Sequence, residues 1–174
     1  MQAEIVNTVI RSAAEAFTKE LHVDLQRQSF EKKSAVIASL PLAIAIGLTG
    51  DLRGNIILAM CNDMSYAVAR RMLPRALPAT IKKFVSSAVG ELANVIVGLM
   101  VTKLSAEQGL EVEIRPPLVF SERYMDLDFV ALGKTECLCI TFISDIGMLE
   151  INIATNLKEA RVKLLVKDKV QRGF

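Results

Sequence analysis

SAVGELANVIVG, Ser87 to Gly98, is the stretch on which the reading of this 174-residue chain turns. Ser87, Glu91, Asn94 and Gly98 follow one another at spacings of four, three and four, which places them within one narrow arc of an α-helix. Phe84, Ala88, Val89, Leu92, Val95, Ile96 and Leu99 make the rest of that helix apolar. A helix that is apolar on most sides packs inside a fold, so its one polar stripe must face solvent or a partner. Glu-x-x-Asn alone is a common pattern on solvated helices. Gly98 adds weight, because glycine in mid-helix costs about 1 kcal/mol relative to alanine. That cost points to something coming close to the backbone, and the stripe reads as an interaction surface.

Outward from this stretch, the helix is expected from about Thr80 to Gln108, bounded by Pro78 and Gly109. Upstream, residues 3–20 carry Ile5, Val9, Ala13 and Phe17 at helical spacing. His22 to Phe30 alternates like a strand and is followed by the charged turn Glu31, Lys32, Lys33. Ala43 to Met60 reads as a hairpin about Gly50–Gly54. Asn62 or Asp63 is suited to cap a helix running to about Leu73, where Pro74 stops it. Downstream, LEVEIRPPLVF reads as a strand, with Pro116 and Pro117 marking a bulge or an edge. Cys137 to Ala154 is a second hairpin turning near Ser144–Gly147, and Asn156 opens a basic terminal helix.

The order helix, strand, hairpin, helix occurs twice. Adding 87 carries Glu4 onto Glu91, Asn7 onto Asn94 and His22 onto Gly109. The chain therefore reads as two related halves, about 1–77 and 78–155, within one α+β domain: a largely antiparallel sheet with long helices packed on it. Residues 156–174 form a basic C-terminal helix or tail with six basic groups and two acids, a net +4, which leaves −2 for residues 1–155. Without interleaved aromatics or glycines that tail is a poor nucleic-acid signal.

Composition excludes several chemistries. The chain is 52% apolar and 23% charged, with one histidine, no tryptophan and three cysteines. It is long enough to bury a core without disulfides or a structural metal. One histidine and three cysteines argue against a multi-His site or a zinc ribbon, and Cys61, Cys137 and Cys139 read as reduced core thiols of a cytoplasmic protein. Uninterrupted apolar runs such as Leu40–Leu48 fall short of the ~20 residues of a membrane span. The start, MQAEIVN, has no basic region or apolar leader, so export is not expected. A self-contained hydrolase would need its own nucleophile and base, and the lone His22, at a helix end, reads as a surface or capping residue.

AVGELANVIVG, preceded by Ser87, resembles the signature helix of the CheC/CheX/FliY group of chemotaxis phosphatases, in which Ser or Asp stands four residues before Glu-x-x-Asn. EIVNTVI, IGLTGDLRGNIIL, VEIRPPLVF and the last hairpin extend the resemblance over about residues 1–155, most closely to CheX. The resemblance implies a CheC-like fold of two pseudo-symmetric halves and a homodimer associating through its sheets. It also implies hydrolysis of the aspartyl phosphate on a CheY-like response-regulator receiver. Asn94 would hold a water in line with the phosphorus, and Glu91 would pair with the receiver's lysine. Ser87 and Gly98 would bind the partner. Mg²⁺ would sit on the receiver, leaving this chain with no metal or cofactor, no nucleic acid and no membrane. Glu4 and Asn7 would be a vestigial second motif, because Arg11 stands where Gly98 stands in the other half; Arg11 and Glu15 read as a solvated helix face. The alternative is a non-catalytic receiver-binding or scaffold module that uses the same helix.

Overall fold

The computed structural model describes residues 3–33, 40–120 and 137–157. Helix α1, Ala3–Ala16, buries Ile5, Val9, Ala13 and Ala16 at helical spacing. It widens into a π turn at Phe17–Leu21. His22 closes that turn in the left-handed conformation, φ 53°, and donates its N–H to the Thr18 carbonyl. The single histidine is an exposed helix end.

Seven strands follow in one sheet, interleaved with two more helices: β1 Gln26–Lys33, β2 Leu42–Gly50, β3 Leu52–Met60, α2 Asn62–Met72, α3 Pro78–Gln108, β4 Val112–Ile114, β5 Leu118–Phe120, β6 Cys137–Ser144 and β7 Gly147–Leu157. Every pairing is antiparallel, in the order β1-β6-β7-β3-β2-β4, with β5 also on β2. The architecture is α+β, as the sequence predicts. The order has an internal symmetry: the two hairpins, β2-β3 and β6-β7, meet along β3 and β7. Each hairpin then takes its outer neighbour from the other half of the chain, β1 for β6 and β4/β5 for β2.

The core lies between one sheet face and the helices. Ile44, Ile46, Ile56, Leu58, Ile151 and Ile153 from the sheet meet Val9 from α1, Phe17 from the π turn, and Val89, Leu92 and Ile96 from α3. On the opposite face Ala43, Ala45, Ile57 and Ala59 form a smaller cluster with Leu40 and Phe120 beside it. By length and apolarity α3 would suit a membrane crossing, but Val89, Leu92, Ala93, Ile96, Val97 and Met100 are buried inside this fold. Where β3 crosses β7, Gly54 adopts φ 139°, and a Cβ there would lie 2.0 Å from the Ala154 carbonyl oxygen. Only glycine fits that crossing.

Several local expectations change. The first strand runs from Gln26 to Lys33 rather than from His22 to Phe30, and the expected turn Glu31–Lys33 is paired strand, opposite Cys139, Leu138 and Cys137. As an edge strand with mostly exposed side chains, β1 has no buried face to impose alternation, so backbone pairing alone sets its ends. The cap of α2 is Cys61, with no side-chain cap bond, and Asn62 is already helical. Pro116 and Pro117 split the edge segment into β4 and β5. Asn156 opens no helix: it and Leu157 continue β7 along β3. The tail expected beyond them lies outside the described residues.

All three cysteines are free thiols. Burial pushes the Cys137 thiol up to about 11, and neighbouring Cys139 adds to the rise. Burial also raises Cys139. Thiols held this way carry little thiolate at neutral pH and make poor nucleophiles.

Candidate functional site

The candidate surface lies on α3, the longest helix among the described residues. Leu77 is its N-cap and Pro78 sits in the first turn, where its missing N–H has no helical partner to lose. At the other end Gly109, φ 63°, donates its N–H to the Ser105 carbonyl and closes the helix. Between these limits Val89, Leu92, Ala93, Ile96 and Val97 are buried, which fixes the rotation of the helix and decides what it shows outside.

What it shows is the stripe read from the sequence. Ser87 and Glu91 are exposed, and Asn94 and Gly98 are half-buried. The carboxylate and carboxamide are less than one turn apart on the outer surface of a helix anchored along its other sides. A Cβ built on Gly98 would meet nothing within 4 Å, so the fold itself has no steric need for glycine there. The Gly98 carbonyl accepts a hydrogen bond from Thr102 Oγ1 at 2.9 Å. Among the described residues no three His, Cys, Asp or Glu side chains come together as a metal site.

Glu4 and Asn7 are also exposed, on the first turns of α1, and the Glu4 carbonyl accepts a hydrogen bond from Thr8 Oγ1. They do not join the stripe on α3. Helices α1 and α3 run antiparallel, since Arg11 meets Glu107 and Glu15 meets Lys103. On that register Asn7 stands level with the end of α3, roughly 25 Å along the axis from Asn94 at 1.5 Å per residue. Asn7 instead borders an open hollow between α1 and β1, with Ile10, Arg27 and Phe30 on its walls.

The expectation that Arg11 and Glu15 are merely solvated is corrected. Arg11 forms a 2.6 Å ion pair with Glu107. Glu15 is held by Lys103 of α3 and by Lys19, one turn along its own helix. Lys103 first, then Lys19, lowers the Glu15 carboxyl to about 2. This face of α1 fastens the helix to the last turns of α3.

One feature escaped the sequence reading. Phe84, counted there among the apolar flanks, lies seven residues before Glu91 and so on the same face, and it is 49% exposed. The spacing carried that signal, but residue type alone does not distinguish a core phenylalanine from a surface one.

The comparisons with known proteins bear on the family and the fold. The family model described as chemotaxis phosphatase CheX matches residues 42–143. A curated relative, the CheY-P phosphatase CheX of Thermotoga maritima, is 29% identical over 145 residues, covering 83% of this chain and 92% of that protein. Among solved structures, the chemotaxis protein CheX from Vibrio vulnificus aligns with TM-score 0.73 at 22% identity, over 88% of this chain and 100% of that one. The CheX–CheY–BeF3–Mg²⁺ complex from Borrelia burgdorferi aligns with TM-score 0.67 at 22% identity, over 89% and 99%. At these identities the solved structures speak for the fold.

Proposed function

Because the chain belongs to the CheX family of chemotaxis phosphatases, we propose that it hydrolyses the aspartyl phosphate of a phosphorylated CheY-like receiver domain and so shortens a chemotaxis or other two-component signal. The observation that carries this reading is the outward stripe on α3. It offers a carboxylate and a carboxamide on a helix surface, and no metal-ligating cluster is found among the described residues. Such a surface suits a protein that completes another protein's active site.

The chemistry follows from what each group can do. Water attacks phosphorus as the bond from phosphorus to the receiver's aspartyl oxygen breaks, releasing inorganic phosphate and regenerating the carboxylate. Phosphoryl transfer of this kind depends on positioning and charge stabilisation rather than on covalent help. Asn94 has both a donor and an acceptor in its amide, so it can align the water without ionising. Glu91 pairs with the receiver's lysine and fixes the register of the two proteins. Ser87 and Gly98 are small and let the receiver approach the helix. Mg²⁺ belongs to the receiver. We further propose that the protein acts in the cytoplasm, where receiver domains work, as a homodimer; the outer strands of the sheet support self-association, since unpaired edges readily find partners.

The test follows phosphate loss from candidate receivers of the host, charged with a small-molecule phosphodonor. Wild type shortens the phosphate lifetime, and Asn94→Ala and Glu91→Ala each remove about 100-fold or more of the acceleration, the scale of a lost positioning group. If wild type binds phosphorylated receiver and leaves its phosphate lifetime unchanged, the scaffold reading replaces this one.

A further inference from the structure

The large apolar side chains left exposed among the described residues are unevenly placed: Leu77 (73%) and Phe84 (49%) at the start of α3, Ile114 (43%) on β4, Leu118 (54%) and Val119 (42%) on β5, with Phe30 and Ile143 elsewhere. Single exposed apolar residues are ordinary, but a cluster marks an interaction surface. Register shows which of them face the helix layer. Val119 pairs with Ile44 and Ile114 with Leu48, both in the core beneath the helices, so both point toward α3; Leu118 pairs with Ala45 and points to the opposite face.

These residues run along the stripe. A Cβ on Gly90, the residue before Glu91, would lie 4.0 Å from Val119 Cγ2. Val112, at the start of β4, borders the same hollow as Val101 and Ser105, further along α3. The β4–β5 segment therefore follows α3 backward from below Gly98 to beside Gly90, with Ile114 between these limits. Lys83, exposed and seven residues before Gly90, lies on the side of α3 that faces β5, whereas Lys82 lies about half a turn round from Glu91. A cation on that side suits a partner that brings negative charge.

We propose that Phe84, Leu77, Val119 and Ile114 form the docking rim that seats the phosphorylated receiver over Glu91 and Asn94. The occupant is a receiver domain presenting an apolar patch beside its anionic phosphorylation pocket. The rim supplies affinity and the stripe supplies chemistry, the usual division between apolar anchors and polar specificity groups at an interface. This inference rests on the phosphatase reading given above and extends it to how the partner is held.

The test uses the full chain and measures dephosphorylation over a range of receiver concentrations, together with binding of the receiver loaded with beryllofluoride and Mg²⁺. Phe84→Ala and the near-isosteric Val119→Thr raise KM and weaken binding about tenfold or more, the effect expected of an interface anchor, while kcat stays within about twofold. Phe30→Ala, which removes a similar exposed ring from β1, leaves both constants unchanged. Asn94→Ala lowers kcat and still binds. If Phe84→Ala and Val119→Thr bind as wild type does while Asn94→Ala is inactive, the docking rim is refuted and the phosphatase reading stands. If the two variants change the mass of the protein in analytical ultracentrifugation instead of KM, the rim joins two copies of this chain and the inference is overturned. If wild type itself neither binds the receiver nor speeds its dephosphorylation, the phosphatase reading fails and the docking rim fails with it.

Discussion

Gly98→Ala separates what the fold needs from what the partner needs. Gly98 sits inside the 31-residue helix α3, and a methyl group there meets no atom within 4 Å. The substitution therefore incurs no clash. It gains the helix-propensity difference and the reduced freedom of the unfolded chain, together about 0.5–1 kcal/mol. In a chain of this size that raises Tm by about 1–4 °C. The same methyl stands on the stripe, in the space a receiver would fill, so kcat/KM falls by about tenfold, equivalent to about 1.4 kcal/mol, and Gly98→Leu falls further. Calorimetry gives the first quantity and receiver dephosphorylation the second. A fall in Tm for the alanine variant would show that the space over Gly98 is not open. A normal rate for both variants would show that the glycine is not there for a partner.

Two further substitutions test the frame. Gly54→Ala forces a Cβ onto the Ala154 carbonyl at a φ unsuited to other residues, and it destabilises by about 2–4 kcal/mol from overpacking and backbone strain; an unchanged midpoint in urea would refute the crossing geometry. Glu15→Gln loses the pairing that holds this carboxyl at about 2 instead of 4.5. A depressed folded pKa contributes stability above the unfolded value, so the gap between wild type and variant is full above about pH 4.5 and closes as pH falls toward 2; a gap independent of pH across that range would rule out the ion pair as its source.

The parts of the fold legible in the sequence are those written in local periodicity. Helix α3 shows its 3.6 repeat and its ending glycine, and the hairpins show apolar runs about short turns. The stripe was legible for the same reason, since polar residues at fixed spacing stand out on an apolar helix. The sequence does not place β1, because an edge strand is defined by pairing with β6 across most of the chain, and pairing leaves no local signature. The ties between α1 and α3 join residues 96 and 88 positions apart, so Arg11 and Glu15 read as solvated when each in fact has a distant partner. Phe84 shows the opposite limit. Its identity says apolar, and only the path of the neighbouring elements says that nothing in the described fold fully covers it.

The exchange of outer strands between the two hairpins has an evolutionary consequence. A gene segment encoding either half alone would specify a hairpin without its outer neighbour, which only the other half or a second copy could supply. Whatever Glu4 and Asn7 do, deleting their half would remove β1, the neighbour of the hairpin that follows α3. Loss of that half would therefore open the sheet even if Glu4 and Asn7 take no part in the chemistry.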